Sequence, residues 1–117
     1  MSNLLRDKIL AAEDIKSELV TVKEWDVTLE VRGLSGRQRA DYLKEVIDSK
    51  GKMNFDKMYP ALIIMSVFDP DTKEPVFKAG DLDALAGKSG AALEQLAQVA
   101  QRLSGLNPEA LGEAEKN

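Results

Sequence analysis

The sequence contains no cysteine and no histidine. The lack of cysteine excludes disulfides and thiolate metal sites, and the lack of histidine removes the usual general base near neutral pH. Aromatic residues make up only 5% of the 117 residues, so aliphatic side chains must build most of the core. We therefore expect no enzyme activity, no metal and no cofactor, and we favour a protein that works by contacting other proteins.

Charge and hydropathy argue against two further kinds of partner. The formal net charge is −4, which disfavours nonspecific attraction to nucleic acid phosphates. No apolar run approaches the roughly 20 residues that span a bilayer. The segment from Met1 to Asp7 has neither the apolar core nor the flanks of a signal peptide. We expect neither a nucleic acid nor a membrane partner, and we expect a cytoplasmic location.

Two short runs of alternating polarity predict an antiparallel β-hairpin. They cover residues 18–22 and 27–32, and a short polar link joins them. In the second run the odd-numbered residues are all valine or leucine and form one apolar face. The even-numbered residues, Thr28, Glu30 and Arg32, are predicted to point to water.

Much of the remaining sequence carries helix patterns. Ser35 followed by Gln38 is a capping-box signature, and the helix that it opens is predicted to reach about Ser49. Asp81 is predicted to cap a short helical turn through Leu82 and Leu85. Three further helices are predicted, from Ser2 to about Asp14, from near Asn54 to Phe68, and from Ser89 to near Gly105.

Proline and glycine positions set limits on these elements. Pro60 would either kink the third helix or place its true start just before Pro60. Val76 and Phe77 follow a proline-containing turn and are too few to predict a strand. Asn107 and Pro108 can begin one more helical turn.

The order of helix, hairpin and further helices predicts an α+β fold. We expect a small antiparallel β-hairpin or sheet packed with a mainly α-helical remainder. The length allows one domain, which we place at residues 1–107, followed by a short polar tail at residues 108–117.

Two segments resemble ligand-binding loops but lack essential residues. Asp69–Lys73 begins like a calcium loop, yet an EF-hand needs an oxygen ligand where the lysine stands and a glutamate where Gly80 stands. Gly87–Ser89 resembles the end of a P-loop, but Leu82 occupies the position of the motif's first glycine. We interpret the first as a plain turn and the second as a helix break and cap.

Four apolar residues are candidates for protein interaction. Met58 and Met65 lie in the most apolar predicted helix, and methionine both fills core gaps and recurs on adaptable binding surfaces. Leu93 and Leu96 lie on the apolar face of the last long helix, whose alanines allow close helix–helix approach. We prefer the core interpretation for the methionines and keep all four as candidates.

The order of these features resembles one phage family. The similar segments are residues 20–25 and 27–32, then Leu34-Ser35-Gly36-Arg37-Gln38-Arg39 with Tyr42, residues 61–69, Val76-Phe77 before Asp81-Leu82, Leu85, and residues 93–105. Together they cover roughly residues 18 to 107 and are similar to the tail assembly chaperones of long-tailed bacteriophages.

This resemblance implies a role during virus assembly. Such a chaperone is expected to coat the long helical tape measure protein, to keep it soluble and to recruit tail tube subunits. It is expected in the host cytoplasm and not in the mature virion. The resemblance also implies self-association or multivalent docking, because many weak contacts along one filament gain by avidity. The alternative is a structural virion component of the tail or the head–tail junction.

Overall fold

The computed structural model describes residues 3–106. Within that range the chain forms five α-helices and one three-stranded antiparallel sheet. The helices are α1 (Leu4–Ala11), α2 (Gly36–Val46), α3 (Phe55–Ser66), α4 (Leu82–Ala86) and α5 (Gly90–Ser104). The strands are β1 (Ser17–Val22), β2 (Val27–Arg32) and β3 (Val67–Phe68), in the spatial order β1-β2-β3. The predicted α+β class is confirmed.

The predicted hairpin is present. β1 and β2 pair from Ser17 opposite Arg32 to Val22 opposite Val27, and Asp26 closes the turn in the left-handed conformation, with φ 52°. Val27 was predicted on the apolar face but is 40% exposed, because it adjoins the turn. The hairpin side chains buried in the core are Val20, Val22, Leu29 and Val31.

The third strand corrects the predicted end of a helix. The sequence predicts that the third helix reaches Phe68, but α3 ends at Ser66 and the next two residues form β3. Val67 lies opposite Val31, and Phe68 lies opposite Glu30. Pairing with β2 gives the backbone groups of these two residues partners outside the helix.

Glu30 corrects a second prediction, because its carboxylate is buried and does not point to water. It accepts hydrogen bonds from Lys73 Nζ at 2.9 Å and from Arg32 Nε at 2.5 Å. The Arg32 guanidinium also lies 3.8 Å from the centroid of the Phe68 ring. The Glu30 carboxylate therefore has two cationic partners, Lys73 and Arg32, which offset the cost of its burial.

Helix α1 is shorter than predicted. Asn3 caps it by accepting a hydrogen bond from the Arg6 backbone N–H at 3.0 Å, and the helix ends at Ala11 and not near Asp14. Ser2, the predicted cap, lies outside the described residues.

Helix α2 begins with the predicted capping box. Ser35 Oγ accepts from the Gln38 N–H at 3.2 Å, and Gln38 Oε1 accepts from the Ser35 N–H at 2.9 Å. The helix ends at Val46, earlier than predicted, because the next residue is extended and pairs with Met53.

Pro60 neither starts α3 nor interrupts it. The helix begins after Asn54, whose side chain accepts from the Asp56 N–H at 3.1 Å, and it continues through Pro60. Proline removes one backbone donor, but the three residues after it, Ala61, Leu62 and Ile63, are buried. Their packing holds the segment helical.

Asp81 has a different role from the one predicted. Its carboxylate accepts from the Lys78 N–H at 2.8 Å, so it closes the 3₁₀ turn that precedes α4. It makes no capping hydrogen bond to α4 itself. The prediction that it caps the turn through Leu82 and Leu85 is wrong because the side chain bonds backwards along the chain.

Helix α5 packs against the hairpin and α3. Ser89 caps it as predicted, by accepting from the Ala92 N–H at 3.3 Å, and Gly105 ends it with φ 71°. Near its end, Ser104 Oγ accepts from the Leu34 N–H at 2.9 Å. The α5 side chains buried in the core are Ala92, Leu93, Leu96, Ala97 and Ala100.

The domain boundary placed at residue 107, the tail and the turn at Asn107 and Pro108 lie outside the described residues.

Gly33, directly after β2, lies against the end of α5. A Cβ at this position would lie 2.6 Å from the Leu103 carbonyl oxygen, which is closer than real Cβ contacts allow. We expect Gly33→Ala to destabilise the fold by about 2–3 kcal/mol, because helix and hairpin must separate. Gly36→Ala is the matched control, since a Cβ there meets nothing within 4 Å, and it should leave stability unchanged or raise it by up to about 1 kcal/mol. Urea unfolding measures both, and equal midpoints for the two variants would contradict this close packing.

The Glu30 ion pairs predict a loss of stability in acid. Hydrogen bonds from Lys73 and then from Arg32 hold the pKa of Glu30 below its ordinary value. Their contribution is therefore complete above the pKa of an unfolded glutamate and is lost as the pH falls through the lower folded pKa. We expect the urea midpoint of Glu30→Gln to fall less between pH 6 and about pH 3 than that of the unsubstituted chain. Parallel pH profiles for the two proteins would show that these ion pairs do not contribute.

Candidate protein-interaction surfaces

The acidic turn after β3 uses its carboxylate for its own backbone. Asp69 Oδ1 accepts from the N–H of Asp71 at 2.8 Å and of Thr72 at 3.2 Å, and Lys73 donates to Glu30. Among residues 3–106, no three His, Cys, Asp or Glu side chains group in a way that suits a metal ion.

In the same part of the chain no helix has the length and apolar character to cross a bilayer.

The four predicted interaction residues lie in two kinds of environment. Leu93 and Leu96 are buried in the core beneath α5, so neither offers surface to a partner in this structure. Met58 and Met65 are half-buried and pack against the core from α3. Their role in protein interaction stays a prediction, and the methionines are the two with accessible surface.

Met65 lines a groove between α2, α3 and the start of α4, which we call the Met65 groove. Its volume is about 230 Å³. The apolar lining includes Ile64 and Met65, while Asp41 and Glu45 of α2 form one side. The complete lining is Asp41, Glu45, Ala61, Ile64, Met65, Ala79 and Leu82.

The acidic side of the Met65 groove follows from helix geometry. Asp41 and Glu45 are one turn apart, so both carboxylates lie on the same exposed side of α2. Lys57 Nζ lies 3.7 Å from Glu45 Oε1, at the edge of ion-pair distance. A partner that places an apolar side chain in the groove and a lysine or arginine beside it would match both the apolar lining and the negative rim.

Tyr42 holds the two walls of this groove together. Its hydroxyl donates a hydrogen bond from α2 to the Met58 carbonyl oxygen of α3 at 3.0 Å, and its ring is fully buried. Burial, with a smaller effect from Tyr59, raises the pKa of Tyr42 to about 12. The hydroxyl therefore stays protonated and keeps donating throughout the physiological pH range.

A second groove lies at the turn end of the hairpin, and we call it the Trp25 groove. Its volume is about 580 Å³, and most of its lining is apolar. Asp81 and Lys88 supply one charge of each sign. The lining is Trp25, Phe77, Asp81, Ala84, Leu85 and Lys88. The sequence does not predict this groove, because its residues are up to about sixty positions apart.

Helix α1 is a third candidate surface, and no residue in it is buried. Four large apolar side chains on this short helix are between 61% and 80% exposed. They are Leu4, Leu5, Ile9 and Leu10. Phe55, at the start of α3, is a separate apolar side chain that is 72% exposed. So much apolar surface on a small domain is typical of protein contact sites.

Comparison with known proteins decides the family. The sequence profile of the phage tail assembly chaperones matches residues 4–117. The chain belongs to this family. The fold agrees, because it is similar to the solved structure of the bacteriophage HK97 tail assembly chaperone, with a TM-score of 0.62 and 26% identity. That likeness covers 88% of this chain and 95% of the HK97 chain. No curated protein matches the sequence.

Family membership gives these surfaces a context. A tail assembly chaperone acts on other proteins of the phage tail, so its accessible apolar surfaces are candidate contact sites for those proteins. The Met65 groove, the Trp25 groove and α1 are three such surfaces among the described residues.

Proposed function

We propose that this chaperone binds the tape measure protein, keeps it soluble and recruits tail tube subunits while the tail is assembled. The observation that carries the proposal is the family match over residues 4–117. A tape measure protein is a long helical chain whose apolar stripe needs a cover before the tube closes around it. A chaperone that covers this stripe needs accessible apolar surface, which the Met65 groove and α1 provide.

The Met65 groove is the surface that we assign to the tape measure protein. An amphipathic helix places apolar side chains at i, i+3 and i+4, and such a row fits an apolar groove between helices. Asp41 and Glu45 favour a helix that carries lysine or arginine beside its apolar stripe. Met65 suits many different side chains because its unbranched thioether adapts its shape. One groove can therefore accept successive, non-identical segments of a long filament.

Self-association completes the proposal. The groove is small, so one copy buries little surface and binds weakly by itself. Copies that also contact each other bind one filament with avidity, and no single contact needs to be strong. Weak contacts also suit a chaperone that tail tube subunits must later displace.

We place the protein in the host cytoplasm and outside the mature virion, with no catalytic step of its own. The chaperone role requires release before the tail is finished. Mass spectrometry of purified particles addresses this point directly. Stoichiometric amounts of the chain in those particles would favour a structural component of the tail or head–tail junction.

Co-expression tests the binding proposal. The tape measure protein of the same phage should be insoluble by itself and should become soluble and co-purify when this chain is present. Replacing both acidic residues of the groove, by Asp41→Lys with Glu45→Lys, should weaken that complex about tenfold, because two attractive charges become repulsive. Affinity is measured by titrating immobilised tape measure protein with each variant.

The control carries the same change of charge on other faces. Asp71→Lys with Glu94→Lys alters two exposed acids outside the groove and should leave the affinity within about twofold. A tape measure protein that stays insoluble with the unsubstituted chain would contradict the function. Equal weakening by both double variants would leave the function standing but would remove the Met65 groove as its site.

A further inference from the structure

The two acids on the rim of the Met65 groove lie in different charge environments. Lys57 Nζ lies 3.7 Å from Glu45 Oε1. Among residues 3–106, no lysine or arginine nitrogen lies within 4.0 Å of the Asp41 carboxylate. Asp41 and Glu45 are both exposed, so burial does not distinguish them. The difference between the two acids is the cation beside Glu45.

The packing of α2 against α3 explains this difference. Where the two helices meet, the Asn54 N–H donates to the Val46 carbonyl oxygen at 2.6 Å. Lys57 lies in the first turn of α3 and Glu45 in the last turn of α2, so this junction brings them together. Asp41 is one turn earlier on α2, about 6 Å farther from the junction. It therefore lies beyond the reach of the same cation.

A lysine or arginine of a bound partner must compete with Lys57 for Glu45. The two side chains are 41% and 52% exposed, so water and salt screen their attraction and a second cation can displace the first. Displacement loses the attraction between Lys57 and Glu45, which offsets what the partner gains there. Asp41 has no ion pair to break within the described residues, so its full attraction is available to the partner.

We propose that Asp41 is the main contact for a basic residue of the bound tape measure helix, and that Lys57 sets this preference by neutralising Glu45. This rests on the proposed function, in which the Met65 groove holds the tape measure protein. It adds which end of the acidic rim selects the partner's charge. Lys57 is then a specificity-determining residue, although it lies outside the lining of the groove.

A double-mutant cycle tests this coupling through the affinity for immobilised tape measure protein at low ionic strength. In the unsubstituted chain, Asp41→Asn should weaken binding about threefold and Glu45→Gln by less than about 1.5-fold. Lys57→Gln should strengthen binding about twofold, because Glu45 becomes available. Glu45→Gln made in that background should weaken binding about threefold, whereas the effect of Asp41→Asn should be the same in both backgrounds.

Lys44→Gln is the matched control for the loss of one positive charge. Lys44 is exposed and adjoins Glu45 in α2, but within residues 3–106 its Nζ has no carboxylate within 4.0 Å. In the Lys44→Gln background, Glu45→Gln should still weaken binding by less than about 1.5-fold. None of the substituted side chains is buried, so the urea midpoints of all variants should agree. Agreement of the midpoints separates a role in specificity from a role in stability.

Two results would overturn the proposal. One is an equal effect of Glu45→Gln with and without Lys57, and the other is a larger effect of Glu45→Gln than of Asp41→Asn in the unsubstituted chain. The same cycle is also run with a synthetic amphipathic helix, which has leucine at i, i+3 and i+4 and lysine beside this row. This second probe reports on the groove without the tape measure protein.

The two probes distinguish failure of this proposal from failure of the proposed function. If the peptide shows the expected coupling but the tape measure protein stays insoluble, the proposed function is rejected and the charge preference stands. If the tape measure protein binds and the effects of the substitutions are additive, only the role of Lys57 is rejected. If neither probe binds, both proposals are rejected.

Discussion

Helix α5 lies so close to the hairpin that the Leu103 carbonyl oxygen leaves no room for a side chain at Gly33. This contact places the small alanine-rich face of α5 over β1 and β2 and closes the core from one side. Helix α3 packs against α5 and completes the core. Since few aromatic residues are available, short aliphatic side chains at close distance must supply the burial.

The surfaces that stay uncovered lie outside this core. Once α3, α5 and the sheet enclose the aliphatic core, the sides of α2, α3 and α4 that meet at the surface form the Met65 groove. The hairpin turn and α4 form the Trp25 groove in the same way. Helix α1 adds nothing to the core and presents its apolar side chains outward. In the proposed function these uncovered surfaces are where the chaperone meets its partners.

Local patterns in the sequence predicted the parts of the fold that local forces determine. The pairing of the two hairpin strands, the capping box at Ser35 and Gln38, and the cap at Ser89 each correspond to what the structure contains. The sequence does not predict the third strand, because Val67 and Phe68 continue an apolar helix pattern and their strand partner, β2, is distant in sequence. Glu30 was placed in water because its cover, Lys73, is remote in sequence.

The candidate surfaces were less predictable for the same reason. The sequence predicts Met65 as a candidate, but the two acids that give its groove a negative side come from another helix. Leu93 and Leu96 were chosen from the same apolar pattern that buries them. Periodicity identifies an apolar face without showing whether the face meets its own core or a partner.

The central claim is that an enclosed aliphatic core leaves the Met65 groove to hold the tape measure protein. Hydrogen–deuterium exchange of the chaperone, alone and in complex with the tape measure protein, tests it most directly. The account predicts slower exchange in the complex for peptides that cover Asp41–Glu45 and Ala61–Met65, with little change in β1 and β2. Protection confined to the hairpin or to α5, with exchange around the groove unchanged, would contradict it.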